Sequence, residues 1–267
     1  MKKQIFLLAV CGALLLGTGG CSVGYTYDDA SLYTPGDGSA DPAAVRTIEI
    51  DWPAGSVTLC PYEGELLQFS DNSPYPSDDN LLHSYLDGDI LRIRFCKSGI
   101  LQQSATEPKD LEVLVPASHM EYLQEISIDT ASAAVFVNDL QVQTLKIATA
   151  SGEVTVDGSA ESVAIDTASG NIALSGTFTE IETDTVSGAL TAICTACPQR
   201  FTGDSTSGAF QVTLPADSSF TLEYDSVSGE LISDFPLQER EGGYTAGDGA
   251  FPLSFDTVSG DLHLTKR

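Results

Sequence analysis

From residue 126 to residue 264 apolar and polar residues alternate in short runs, and in every run the alternation reverses its phase at the same place. Val163, Ile165 and Thr167 share one parity, whereas Ile172 and Leu174 share the other; Leu253, Phe255 and Thr257 flip in the same way to Leu262 and Leu264. Period-two alternation is the signature of a strand with one buried face, and a fixed reversal marks a corner between two strands. The reversal falls at Thr/Ser-x-Ser-Gly. Seven copies of this phrase occupy 126–137, 145–156, 163–174, 181–192, 201–212, 222–233 and 253–264, and their serines (Ser132, Ser151, Ser169, Ser187, Ser207, Ser228, Ser259) are 19, 18, 18, 20, 21 and 31 residues apart. A period near twenty describes one coil of a repeat structure. The pattern therefore predicts an all-β fold, a parallel β-solenoid (β-helix) of about seven 18–21-residue coils, with no substantial helix in the mature chain. An antiparallel sandwich would show hairpin signals between copies, where this chain shows a corner inside each.

On this reading the Thr and Ser of each corner both point inward, stack coil on coil, and satisfy their hydroxyls on the column or on backbone. Gly supplies backbone angles that a side chain resists, and the one Ala in its place, Ala133, marks a less sharp turn. No Ser lies in a Gly-x-Ser-x-Gly setting, and His83, His119 and His263 do not recur as partners, so the serines read as structural.

The DTxSG repeats, the closing TVSGDLHL and the upstream segment IEIDWPAGSVTL (48–59) resemble the bacterial putative-adhesin family of β-strand-repeat proteins, a family of unknown function. The resemblance spans roughly residues 45–267. It implies a β-solenoid on an envelope protein and brings no catalytic residues with it.

The domain plan has four parts. Residues 1–20 place Lys2 and Lys3 before an apolar run from Ile5 to Leu16, too short to span a bilayer, and read as an export signal. Small residues before Cys21 resemble a lipoprotein box, which makes Cys21 the lipid-attachment residue and the membrane the first partner; cleavage as an ordinary secreted protein is the alternative. Residues 21–44, rich in Gly, Ser, Asp and Pro, read as a flexible tether. Residues 45–120 hold strand-like runs without the Ser-Gly corner and read as an irregular β N-terminal cap or early coils; residues 121–267 are the solenoid repeats. Outside the cytoplasm, Cys60, Cys96, Cys194 and Cys197 are disulfide candidates, most locally as 60–96 and 194–197. A single CTAC with no second pair is a weak metal signal.

Twelve basic and 38 acidic residues give a net charge of −26, and −28 once Lys2 and Lys3 leave with the signal. That sign excludes nucleic acid as a partner. The acidity has a pattern: the outward position before the corner hydroxyl is Asp129, Ala148, Asp166, Asp184, Asp204, Asp225 and Asp256. Neighbouring carboxylates in stacked coils repel by roughly 1 kcal/mol per pair even in water. Either each Asp accepts hydrogen bonds from its own corner, or the column binds a cation, with Ca²⁺ on Asp166, Asp184, Asp204 and Asp225 as the candidate site and no other cofactor expected. These features point to a non-enzymatic, membrane-tethered extracytoplasmic binding or scaffolding module with an unknown protein or glycan partner. A carbohydrate-active enzyme or polysaccharide-binding β-helix is the first alternative, since paired carboxylates serve glycoside hydrolysis; a component of an envelope-sensing assembly is the second.

Overall fold

The computed structural model describes residues 24–73, 76–101 and 107–267; the export signal and Cys21 lie outside them. The fold is all-β, an open, β-solenoid-like stack, and helix among the described residues is confined to the short 3-10 segments Ala30–Leu32, Pro42–Ala44 and Ala117–Tyr122. The repeats form two faces joined at the corners. Strand Ala134–Thr149 shows how: its first residues pair in parallel with Val57–Leu59 and Val154–Val156, and its last with Glu125–Thr130 and Ser162–Thr167. One chain segment thus serves both faces before it turns at the next Thr-x-Ser-Gly.

The predicted inward parity is the core. Ile50, Ile128, Ile147, Ile165 and Thr183 occupy successive levels of one column, and all are buried. The column then reaches Gly203, opposite Thr183 on one side and Phe255 on the other. A Cβ at Gly203 would lie 2.7 Å from the Phe255 ring and 3.0 Å from the Phe210 ring. The missing side chain is what admits the aromatic cluster Phe201–Phe255–Phe210, whose centroids are 5.0 and 5.2 Å apart.

Both ends of the stack depart from chain order. At the C-terminal end the last repeat, Phe251–Thr257 with Leu262–Lys266, is inserted between the fifth repeat (Arg200–Ser205, Phe210–Leu214) and the sixth (Phe220–Ser226, Leu231–Ser233). Leu253, Phe255, Leu262 and Leu264 are fully buried, whereas Tyr224 and Leu231 of the sixth repeat are only half-buried. The more apolar copy takes the inner position, and the long step of 31 residues lets the chain fold back to place it. The outer edge of Phe220–Ser226 is covered by the antiparallel strands Gly243–Ala246 and Gln238–Arg240. At the N-terminal end the segment Thr47–Asp51 with Gly55–Tyr62 pairs directly with the first repeat, and the later strands Ile90–Arg94 and Lys109–Pro116 lie outside it.

Two expectations need correction here. The stretch read as a tether is docked from Gly24 onward: Gly24–Tyr25 pairs with Ile100–Leu101, Thr34–Pro35 with His83–Ser84, and Gly38–Ala40 with Leu67–Phe69. Apolar and aromatic residues scattered among its Gly and Ser (Tyr25, Tyr33, Pro42) supply enough burial to order it. Neither expected disulfide, 60–96 nor 194–197, is formed: among the described residues Cys60, Cys96, Cys194 and Cys197 are free thiols. Cys60 is half-buried beside Glu112, and Cys96 is buried near Lys109 and Asp51, so the two thiols face different surroundings.

A buried ion pair closes the N-terminal end. Lys109 Nζ donates to Asp71 Oδ2 at 2.6 Å and to the Asn80 carbonyl at 2.7 Å, with 3% and 0% of the Lys109 and Asp71 side chains exposed. The ammonium lies 4.8 Å from the Trp52 ring and 4.5 Å from that of Phe95. Trp52 Nε1 in turn donates to the Lys109 carbonyl at 2.8 Å. Two rings and two oxygens around a single ammonium make its burial tolerable.

Candidate functional site: the aspartate ladder

The corner fixes where each aspartate sits. The hydroxyl following each ladder position points inward and accepts the N–H of the Gly three residues on: Thr149 from Gly152 at 2.9 Å, Thr167 from Gly170 at 2.8 Å, Thr185 from Gly188 at 2.8 Å, Ser205 from Gly208 at 2.6 Å. These corner N–H groups are therefore taken by the hydroxyls and not by the aspartates. The second hydroxyl departs from the expected parity, because the turn begins at that residue. Ser151, Ser169 and Ser187 are exposed and donate outward to the carbonyls of Ala131, Ala150 and Ala168 in the preceding coil.

The corner glycine is also required for a different reason than torsional freedom. Gly152, Gly170, Gly188 and Gly208 have no left-handed φ. Each lies against the backbone of the coil beneath, so that a Cβ would stand 1.9–2.0 Å from a carbonyl oxygen.

In space the ladder reads Asp51, Asp129, Ala148, Asp166, Asp184, Asp204, Asp256, Asp225. Adjacent strands place neighbours at roughly 4.8 Å. Asp204 and Asp225, paired in the expected calcium set, are separated by Asp256, because the last repeat is inserted. Among the described residues no three His, Cys, Asp or Glu side chains are grouped to hold a metal ion. Sequence reasoning missed Asp51 as a ladder member, although IEID in 48–51 carries the same parity as ISID in 126–129. It also missed Arg94, which sits opposite Asp51 and ends the ladder, and which only the strand pairing brings there.

Protein crowds the carboxylates on the sheet side, and that loss of hydration raises the pKa values of Asp51, Asp129, Asp166 and Asp184. Asp129 adds to the rise at Asp51, Glu182 at Asp166, and Asp166 with Glu182 at Asp184; Arg94 acts against it at Asp51 and Asp129. At the Arg94 end the ladder meets a recess of about 340 Å³ lined by Tyr27, Glu49, Ile50, Asp51, Arg94, Ser127 and Asp129. There Arg94 lies 3.6 Å from Glu49, which also pairs with Arg92. Such a surface accepts hydrogen bonds and attracts cations.

Of the remaining site residues, Cys96 lies near Asp51 at the Arg94 end of the ladder. Cys194 is buried at the end of Leu190–Cys194, with its thiol pushed up to about 12 by burial and by the neighbouring Cys197. Cys21 lies outside the described residues.

The profile of the Toastrack DUF4097 family matches residues 103–265. The chain belongs to that family. The resemblance to uncharacterised adhesin-like proteins drawn from the repeats is thereby borne out. No curated protein sequence matches this Toastrack chain. Three solved structures are similar to it. A putative cell adhesion protein from Clostridium sporogenes ATCC 15579 has 8% identity over 88% of this chain and 100% of its own, with a TM-score of 0.36. A putative adhesin from Bacteroides fragilis NCTC 9343 has 14% identity over 85% and 95%, with a TM-score of 0.46. A putative lipid binding protein from Parabacteroides distasonis ATCC 8503 has 13% identity over 86% and 96%, with a TM-score of 0.48. Likenesses at this level carry no argument about what this Toastrack protein binds.

Proposed function

We propose that this Toastrack protein is a non-enzymatic extracytoplasmic binding module, tethered to the membrane by a lipid on Cys21, whose aspartate ladder engages a cationic partner. The supporting observation is the ladder itself: seven aspartates in register on one rigid face, with Ala148 as the one gap. Repeated charge at a fixed spacing gives affinity through many weak contacts and a strong dependence on salt. Basic segments of another envelope protein, including a sensing assembly, meet this description. Calcium held loosely along the ladder is the inorganic form of the same idea, and absence of uptake in calorimetry at millimolar calcium would remove it.

The test is cross-linking on intact cells carrying an affinity-tagged copy, in parallel with a copy in which Asp166, Asp184 and Asp204 are each changed to Asn. Capture of one basic partner by the parent and its loss from the variant supports the reading. Equal capture by both removes the ladder from it.

One observation favours the carbohydrate-active alternative: Asp51 and Asp129 share a recess with Tyr27 and Arg94. The same carboxylate spacing recurs along the ladder, however, whereas a catalytic pair is singular. Release of reducing sugar from wall polysaccharide by the parent, abolished in Asp129→Asn, would make it an enzyme.

A further inference from the structure

The chain enters the fold at the outer margin of its N-terminal end. Gly24–Tyr25 is strand-paired, and the Tyr25 hydroxyl donates to the Asp51 carbonyl at 3.2 Å and accepts the Phe95 N–H at 3.1 Å. From Tyr25 a file of rings runs through Tyr27 and Tyr33 to Tyr85, with centroids 5.7, 4.7 and 5.5 Å apart. The file ends at the outermost strands of that end, Thr34–Pro35 against His83–Asp87, which in turn cover Ile90–Arg94. There Leu32 and Leu86, each next in sequence to a ring of the Tyr33–Tyr85 pair, are 51% and 38% exposed. Entry point, tyrosines and leucines therefore occupy one margin.

The length of chain between this margin and Cys21 is short. Three residue steps separate Cys21 from Gly24, and fully extended they reach about 10 Å, comparable with the headgroup layer of a bilayer. A lipid on Cys21 would hold the margin at the membrane surface rather than on a long leash. The tyrosines are buried or half-buried and brace the margin from within, and the exposed Leu32 and Leu86 are the groups that can bury apolar surface at that depth. Exposed Asp28 and Asp29 beside the entry point mean that anionic headgroups add no attraction, so the contact is apolar.

We infer that this margin, with Leu32 and Leu86 at its surface, rests on the lipid bilayer that carries the Cys21 anchor, so that the stack stands end-on and presents the aspartate ladder away from the membrane. The inference rests on the anchoring proposed above. It adds which surface meets lipid and which end points outward. From Asp51 to Asp225 the ladder then rises through seven strand spacings, roughly 34 Å. Val227, 82% exposed at the corner of the sixth repeat, lies at the far end.

The test uses the lipidated full chain in phosphatidylcholine vesicles containing brominated phosphatidylcholine, which quenches tryptophan only at short range. Leu86→Trp and Val227→Trp are compared with the parent, whose buried Trp52 gives a constant background. The expected result is a blue shift and loss of the added emission for Leu86→Trp, with none for Val227→Trp. The double variant Leu32→Ser/Leu86→Ser should still bind the vesicles through its lipid but dissociate from them about tenfold faster than the parent, from the lost apolar contact. Equal quenching at both positions means a stack lying flat and overturns the inference. Absence of quenching at 86 in a protein that co-sediments with vesicles overturns it while leaving the anchor intact. Failure of the parent to co-sediment any better than Cys21→Ala overturns the anchor and the inference together.

Discussion

Replacing Gly170 with Ala tests why the corner needs glycine. The added Cβ would stand 2.0 Å from the Gly152 carbonyl oxygen and 2.9 Å from Thr167 Oγ1. Relief requires the two coils to separate by more than 1 Å at that level. The bonds under strain are Gly170 N–H to Thr167 Oγ1 at 2.8 Å, Ser169 N–H to the Ala150 carbonyl at 3.1 Å, and Ala168 N–H to the Thr149 carbonyl at 3.3 Å. At about 1 kcal/mol net for each, their loss costs about 3 kcal/mol. For a chain of this size that lowers the melting temperature by about 6–12 °C. Circular-dichroism melting with urea titration at 25 °C gives both numbers. Ser169→Ala, which removes one 3.3 Å donation at the exposed side of the same corner, is the control and should cost less than about 1 kcal/mol. If Gly170→Ala melts within about 1 °C of the parent, coil-on-coil contact is not what the glycine serves.

Thr183 buries a hydroxyl that has no hydrogen-bond partner, so Thr183→Val should stabilise by about 1 kcal/mol, visible as a higher urea midpoint. Lys109→Met should destabilise by about 3–5 kcal/mol because Asp71 is left buried without its cation, whereas Lys109→Met/Asp71→Asn, which removes the stranded charge but keeps an oxygen for the Leu82 and Ser73 N–H groups, should recover part of that loss. Asp51, Asp129, Asp166 and Asp184 have folded-state pKa values raised above their unfolded ones, so the folded state binds protons more tightly there and these four carboxylates destabilise it at neutral pH. The melting temperature should therefore climb as pH falls from 7 towards about 4, the unfolded carboxylate range, and this dependence should weaken in a variant with Asp129, Asp166 and Asp184 changed to Asn.

Much of the fold was legible because each coil repeats the same local problem. The parity of Val163, Ile165 and Thr167 assigns the buried face, and the reversal at Ser-Gly locates the corner; both hold in the structure. The serine was misplaced because parity is defined only within a strand, and Ser169 already belongs to the turn. Ala133 fits at a glycine position because the corner beneath it is Trp52-Pro53-Ala54-Gly55 and not another Ser-Gly corner. Docking of Gly24–Ala44 was hidden by a composition typical of linkers, since its few aromatic contacts are all distant in sequence.

By itself the sequence determined the period, the two faces, the corner chemistry and the outward aspartates, since each follows from alternation and turn propensity within about twenty residues. Tertiary structure decided the order of the coils at both ends, the meeting of Arg94 with Asp51, and the enclosure of Lys109 by Trp52, Phe95 and Asp71. These depend on which strand edge is met by a segment dozens of residues away. That choice is made by competition for burial among near-identical coils, and no local pattern records its outcome.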